Sequence, residues 1–558
     1  MDRQRFPADA RSGNVARLYD ETADARGDAL ALETPEVRFT HAALRDRAAR
    51  LAGGFRDVGF EPDDRLAIVL HNRAEAVLAA LASFRAGTPF VPMNPQFTPD
   101  EIAGQLDDGE VAGVVTEPAL LGNVADAIEA VEVDPTVVLV ADDGAEGAGE
   151  GKAEAVGDDG ADDGGDGEAE RAGDGRESED AAPGGLDTVA FGSLDGSPHL
   201  AERDDGDVAM QPYTSGTTGE PKGVQLTHRN LRAQSLMGFE RTALSADEER
   251  FLSVLPLAHI AGFVNRTWQP LVRGGAVFLR DPDDWDPEAA MATIEAERIT
   301  KFGAVTTMYV DVVGHERFGE YDLSSLREAM EGGDRMSTAV QERFEAEAGL
   351  DLFEAYGLTE TGGGTHVGFG STFGPRPGTI GQPLRATDCK VVDDAGREVA
   401  AGETGELLVR GPHVTPGYHE RPEETAAAFT DDGYFRTGDL ARRDEDNYYE
   451  IVGRKDDVIV TAGYTVYPGE VEDVLERHDG VVDAAVVGAP DERRTATVEA
   501  YVVTDDGAAV SETALKEHCL EHLAPYKHPR SVAFVDRLPR TYNGKVRRVQ
   551  LRERTASD

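Results

Sequence analysis

The segment Tyr213-Thr214-Ser215-Gly216-Thr217-Thr218-Gly219-Glu220-Pro221-Lys222-Gly223-Val224 constrains this chain more than any other. It packs three glycines, four small hydroxyls and one lysine between two apolar runs, Val208 to Met210 and Val224 to Leu226. Glycines let backbone amides turn towards an anion, hydroxyls donate to its oxygens, and a lysine adds a point charge. That is the chemistry of a triphosphate cradle. The spacing is not that of a P-loop, which runs G-x-x-x-x-G-K-[ST] straight into a helix. Here Gly216, Gly219 and Lys222 recur every third residue, and the next helix signal waits until Thr227 and continues to Met237.

Around this loop, short apolar strands alternate with helices, the pattern of layered α/β domains. Leu66 to Leu70 reads as a strand, Ala74 to Arg85 as a helix, and Pro89 to Pro92 as the next strand. Asp286 reads as an N-cap with Pro287 at the first helical position of a helix reaching about Arg298. Val305 and Leu352-Phe353 are expected in further strands, and no internal repeat is visible.

At 558 residues the chain exceeds what one core supports. The pattern changes near Gly453. Strand signals at Val481 to Val487 and Val498 to Val503, and helices around Glu470 to Arg477 and Glu512 to Leu523, predict a small α+β lid. The expected division is therefore 1–452 for a large N-terminal part of layered βα sheets and 453–558 for the lid. No apolar run reaches membrane-span length, the start has no signal-peptide core, and Cys389 and Cys519 cannot form a disulfide framework. A cytoplasmic protein without an integral membrane segment is the expectation.

The formal net charge is −51, and only 8 of the 55 basic residues are lysine. Nucleic acid is excluded as a partner, since its phosphates would be repelled. Residues 141–182 hold 16 acidic and 3 basic residues with almost no large apolar side chain, so a disordered surface insert is expected there. Removing it takes the net charge only to −38, so the acidity is spread over the rest of the chain. Such acidity with scarce lysine resembles proteins of salt-accumulating cytoplasms, similar to those of halophilic archaea.

Taken whole, the Tyr213 to Val224 string closely resembles the signature of the adenylate-forming (ANL) superfamily: acyl-CoA synthetases, adenylation domains and beetle luciferase. Four further segments match, and the resemblance spans roughly residues 15 to 550 without the acidic insert. Glu354-Ala355-Tyr356-Gly357-Leu358-Thr359-Glu360 follows the Leu352-Phe353 strand. The resemblance implies that Tyr356 stacks on adenine, Thr359 touches the α-phosphate and Glu360 holds Mg²⁺ with Thr214. Tyr434-Phe435-Arg436-Thr437-Gly438-Asp439 leads on to Gly453-Arg454-Lys455-Asp456-Asp457. Asp439 matches the carboxylate that accepts the ribose hydroxyls, Arg454 a ribose or phosphate contact, and Asp456 the hinge of the lid.

Leu538-Pro539-Arg540-Thr541-Tyr542-Asn543-Gly544-Lys545 matches the loop of the mobile catalytic lysine, Lys545. Val460-Thr461-Ala462-Gly463-Tyr464 matches the loop that turns to the site in the second half-reaction, where Gly463 and Tyr464 border the pantetheine channel. Pro256-Leu257-Ala258-His259-Ile260-Ala261-Gly262 resembles the segment whose histidine borders the carboxylate and the thiol entry. Gly332-Gly333-Asp334 and the run Gly362-Gly363-Gly364 are expected at the adenine edge and the acyl channel. Two features depart from the pattern. Asp491-Glu492-Arg493-Arg494 lacks the Gly-Glu of many relatives, and the triple glycine is unusual.

The implied fold is that of adenylate-forming enzymes. The implied function is an ATP-dependent, AMP-forming acid:CoA ligase with Mg²⁺ and CoA, acting on a small-molecule carboxylic acid, foremost a fatty acid. Pro92-Met93-Asn94-Pro95 and Phe97-Thr98-Pro99 look like fatty-acyl and aryl-CoA synthetases, and no acidic residue follows His259 to hold a substrate ammonium. An aryl or other acid, or a stand-alone enzyme loading a carrier protein, stays open. So does a catalytically silent nucleotide-binding protein.

The charge makes its own prediction. Folding and activity weaken at low ionic strength, so the melting temperature rises between about 0.1 M and about 3 M KCl, as the Debye length shrinks from ~10 Å to under ~3 Å. An unchanged melting temperature across that range contradicts the salt-adapted reading.

Overall fold

The computed structural model describes residues 12–141, 186–214, 221–239, 242–333, 336, 338–368, 371, 374, 376–491, 493–504, 510–541 and 545–555. Several expected features lie outside these residues: Ser215, Gly216, Thr217, Thr218 and Gly219 of the cradle, Asp334, Glu492, Tyr542 to Gly544, and nearly all of the acidic insert.

Two large sheets carry the N-terminal part. The first has seven strands, in the order Thr188–Ala190, Thr136–Leu139, Val111–Thr116, Arg65–Val69, Phe90–Met93, Val208–Met210 and Leu226–Thr227. All neighbours are parallel except the last pair. Central strands such as Arg65–Val69 and Val111–Thr116 are continuous apolar runs because helices cover both faces. The crossover helix Ala74–Ala86 is buried almost throughout and stops at Gly87, whose φ of +80° ends the helical path. A capping box between Thr98 and Glu101 opens the next helix, Pro99–Asp108.

The second sheet has nine strands, in the order Gln382–Pro383, Gly363–Val367, Leu352–Leu358, Glu328–Glu331, Lys301–Ala304, Arg250–Ser253, Ala276–Leu279, Leu30–Glu33 and Arg38–Thr40. Between the sheets runs a π-helical stretch, Ala261–Trp268, continued by the helix Gln269–Arg273. Its aromatic residues join the two layers: Phe263 packs edge-on to Phe90 at 5.0 Å and Trp268 edge-on to Phe84 at 5.2 Å. The Trp268 indole donates to Ser235 Oγ at 2.8 Å, so its one polar atom is satisfied in the core.

A four-stranded antiparallel sheet follows, in the order Asp388–Val392, Thr404–Arg410, Phe435–Arg443 and Tyr449–Arg454. The chain then passes through the turn Lys455–Asp457 into a five-stranded sheet built from Ile459–Thr461, Tyr464–Val466, Val481–Asp491, Thr495–Thr504 and Ser531–Phe534. Residues 453 and 454 thus still pair with the four-stranded sheet, two residues beyond the expected division. The helices Pro468–Glu476 and Glu512–His522 cover this small sheet, as the apolar spacing predicts. Among the described residues no helix is long and apolar enough to cross a membrane.

Other expectations shift locally. Asp286 caps Pro287–Ala296 by accepting from the Glu288 amide at 2.9 Å. Thr227 is the last residue of a strand and caps the helix His228–Phe239, its Oγ1 accepting from Asn230 N at 3.2 Å. Val305 is not in a strand: it precedes the helix Thr306–Gly314, because the adjoining strand ends at Ala304.

Three core histidines give a pH prediction. Burial pushes His41 down to about 4 and His228 and His413 down to about 3. They stay neutral when folded but take up protons when unfolded, below the ordinary histidine value. Their contribution is therefore intact above about pH 6.5 and is lost as pH falls towards 4. Thermal melts at constant high salt are expected to drop across that window. Replacing His413 with Gln is expected to make the drop shallower.

Candidate active site

The carboxyl ends of parallel strands gather binding groups because side chains and loops converge there in open α/β sheets. Leu352–Leu358 leaves the parallel part of the nine-stranded sheet and pairs antiparallel with Gly363–Val367. The turn between them, Thr359–Thr361, carries Thr359 and Glu360. Gly357 faces Gly363 and Gly364 across this hairpin, and a Cβ on Gly357 would sit 2.2 Å from the Gly363 carbonyl oxygen. Only glycine permits that approach.

Tyr356 projects towards the four-stranded sheet, where its hydroxyl donates to Asp439 Oδ2 at 2.5 Å. Asp439 pairs across the strands with Arg454, whose Nε stands 3.2 Å from Oδ1. Asp439 is 4% exposed, and burial raises its carboxyl above the usual range although Arg454 and Lys545 pull it down. Burial, and then the Asp439 charge, raise the Tyr356 phenol far above its usual value, so it remains a hydrogen-bond donor. An aromatic ring beside a carboxylate with outward lone pairs suits a nucleoside: the ring offers a stacking face, the carboxylate accepts from hydroxyls.

Glu360 lies, through Tyr418, beside the described ends of the glycine-rich segment. Its Oε1 accepts from the Tyr418 hydroxyl at 3.0 Å, and its carbonyl accepts from Thr415 N at 2.8 Å. Lys222 Nζ stands 5.0 Å over the Tyr418 ring. The two ends of the cradle are tied together, Tyr213 bridging to Gly223 and Thr214 N donating to the Lys222 carbonyl at 3.1 Å. Tyr418 therefore joins the loop to the Glu360 turn. It is absent from the residues singled out in the sequence. The glycine before it is required by packing, since a Cβ on Gly417 would meet Thr425 at 2.4 Å, but that contact too is seen only in the fold. The pairing of Tyr418 with Val224, some two hundred positions away, is visible only in space.

A Glu360 carboxylate with a Thr214 hydroxyl is a hard-oxygen donor set of the kind Mg²⁺ takes, and one Glu360 oxygen is left over after the Tyr418 bond. Gly332 and Gly333 follow the strand Glu328–Glu331, with Gly333 at a φ of +121°. Glu354 and Ala355 lie on Leu352–Leu358, opposite Glu331 and Val367 respectively.

The lid lies with Lys545 towards this pocket. The lysine acts electrostatically on both His259 and Asp439. Burial, reinforced by that ammonium, pushes His259 down to about 4, so the imidazole is neutral at physiological pH. Its Nδ1 accepts from Ala261 N at 3.3 Å, which leaves the proton on Nε2. Lys545 sits in a tight turn in which Thr541 N donates to its carbonyl at 2.7 Å. By contrast, Gly463 and Tyr464 form the hairpin tip on an exposed face: Gly463 has a φ of +83°, and Tyr464 is 56% exposed and stacks on Tyr526 at 4.5 Å. Asp456 is exposed in the turn that joins the two parts. Thus Lys545, His259, Asp439, Arg454 and Tyr356 come together, while Gly463 and Tyr464 face solvent.

Comparison with known proteins places the chain in a family. Residues 19–419 match the model of the AMP-binding enzyme family, and residues 470–545 that of the AMP-binding enzyme C-terminal domain. A feruloyl-CoA synthase of Amycolatopsis sp is 33% identical over 92% of this chain and 94% of its own. A long-chain-fatty-acid–CoA ligase of Bacillus subtilis (strain 168) is 31% identical over 97% and 93%. The crystal structure of ATP-bound MatB from Rhodopseudomonas palustris superposes with a TM-score of 0.82 at 29% identity, covering 97% of this chain and 98% of that one. With a family model matched in each part, and the fold shared, the chain belongs to the AMP-binding enzyme family of adenylate-forming enzymes.

Proposed function

We propose that this protein joins a carboxylic acid, foremost one with a fatty-acid-like body, to CoA through an acyl-adenylate, with Tyr356, Asp439 and Arg454 holding the nucleoside and Lys545 serving the first step. The observation that carries the reading is Lys545 of the lid lying electrostatically close to both His259 and Asp439.

A carboxylate is a poor acyl electrophile, because it would have to expel oxide. Attack of its oxygen on the α-phosphorus of ATP forms a P–O bond and breaks the bond to pyrophosphate. Charge builds on the phosphate oxygens in that step, and a positioned ammonium stabilises it. Lys545 supplies that ammonium, while Thr359 donates to the α-phosphate and Lys222 to the outer phosphates. Mg²⁺, held by Glu360 with Thr214, would neutralise phosphate charge. In the second step the thiol of CoA gives up its proton to solvent, its sulfur bonds to the acyl carbon, and the acyl carbon–oxygen bond to phosphate breaks so that AMP leaves.

The exposed Gly463–Tyr464 hairpin is on the wrong face for that step as the lid now stands. Rotation at Asp456, an exposed residue of the connecting turn, is how the lid would exchange Lys545 for Gly463. The glycine leaves room for a pantetheine arm. An aromatic acid in place of the fatty acid is favoured by the feruloyl-CoA synthase likeness, and a panel of aliphatic and aryl acids decides between them.

Two experiments test this function. Lys545→Ala is expected to lower acid-dependent pyrophosphate–ATP exchange by about 10²- to 10³-fold, the loss typical of removing a preorganised charge from a transition state. Thioester formation from supplied acyl-AMP is expected to be largely spared, and equal losses in both assays would refute the division of labour. Tyr418→Phe frees Glu360 from its hydrogen bond. It is expected to raise the Mg²⁺ concentration needed for half-maximal exchange several-fold, with the melting temperature little changed.

A further inference from the structure

Among the described residues six Lys and Arg side chains are buried: Arg47, Arg85, Arg203, Arg232, Arg266 and Lys301. Five have partners. Lys301 stands 3.0 Å from Glu249 and 2.9 Å from Glu328, Arg232 pairs with Asp205, Arg203 with Asp63 and Arg85 with Asp20, and Arg47 donates to the Leu194 carbonyl at 2.9 Å. Arg266, 6% exposed, is different. Its Nε is enclosed without a hydrogen-bond partner, and no described carboxylate or carbonyl pairs with its guanidinium. Its contacts are the Phe251 ring, 5.8 Å from Cζ, and the more distant fields of Tyr309 and Glu331. Burial pushes the group down to about 10, so it is still a cation at neutral pH. A buried charge without a counter-ion is costly, and proteins rarely keep one without a use.

The surroundings indicate the use. Arg266 rides on the π-helical stretch that begins just after His259, and irregular helical turns of this kind are frequent at functional sites. It lies over Gly303 of the nine-stranded sheet, where a Cβ would come within 2.4 Å of Nε. The neighbouring Asn265 faces Gly363, and its Oδ1 is enclosed without a partner, as is the Gln234 Oε1. Gln234 Nε2 donates to the Gly364 carbonyl at 2.9 Å. A channel for a bare hydrocarbon would leave these polar atoms desolvated for nothing. His259 lies just before the π-helical stretch and Arg266 within it, seven residues on, a separation of roughly two helical turns.

We propose that the substrate acid carries a second carboxylate, held by Arg266, so that the enzyme activates one end of a medium-length dicarboxylic acid. The inference rests on the acid:CoA ligase reading and names its substrate class. The guanidinium fork matches a carboxylate in two parallel hydrogen bonds, and the low-dielectric site makes such a pair selective.

The test compares suberate with octanoate, acids of equal length that differ in the second carboxylate, by pyrophosphate release and by thermal melting in high salt. Wild-type protein is expected to favour suberate by about ten- to hundredfold in kcat/KM, chiefly through KM, the range a charge-assisted pair supplies. Suberate is expected to raise the melting temperature more than octanoate does. Arg266→Met is expected to collapse the suberate-to-octanoate ratio by a similar factor. A wild-type preference for octanoate, equal melting shifts from the two acids, or a ratio unchanged in Arg266→Met each overturns the proposal. The melting arm needs neither turnover nor a folded variant. A suberate-specific shift with no turnover of any acid would sustain the carboxylate site while the ligase reading fails.

Discussion

Asp439 is the junction on which the arrangement depends. Its carboxylate is buried between three pieces of structure: Tyr356 at the end of the nine-stranded sheet, its own strand Phe435–Arg443, and Arg454 on the last strand before the lid. A buried carboxylate is tolerable only while it is hydrogen-bonded and opposed by positive charge. Tyr356 supplies the first and Arg454 the second, with the Lys545 ammonium adding to it from the lid. The same bonds fix the distance between the large sheet and the strand that leads into the connecting turn. The connecting turn therefore starts from a place set by the Tyr356–Asp439–Arg454 cluster.

The polar economy of the interior separates scaffold from site. Where charge is structural it is neutralised in place, as in the Lys301–Glu249–Glu328 group at the amino ends of three neighbouring strands of the nine-stranded sheet. Where polar atoms are left open, at Arg266, Asn265 and Gln234, they gather beside the glycines of Gly363–Val367 and Lys301–Ala304 and beside the segment that carries His259. Desolvation makes each such atom costly; buried polar atoms without a partner also occur elsewhere, as at His41 and His413, so what sets this group apart is the charge of Arg266 among them.

Much of the fold could be read from local pattern. Continuous apolar runs mark Arg65–Val69 and Val111–Thr116 as central strands, and Asp286-Pro287 marks a helix start, since these signals act within a few residues. Element ends were less legible. Val305 has the side chain of a strand residue, but the hydrogen-bond ladder stops at Ala304 and the chain turns into a helix. Near Gly453, where the pattern changes, pairing of Asp439 with Arg454 carries the strand Tyr449–Arg454 to its end.

The candidate site divides likewise. The residue types of Tyr213 to Val224, Tyr356, Asp439, Arg454 and Lys545, and their order, stand in the linear chain, because phosphate and nucleoside chemistry asks for particular side chains at short spacing. Tyr418 and Arg266 do not announce themselves in that way. The first matters because its hydroxyl reaches Glu360, fifty-eight positions away, and the second because no described carboxylate pairs with its guanidinium. Both facts depend on distances between segments remote in sequence, which the packing of the sheets, and not any local propensity, decides.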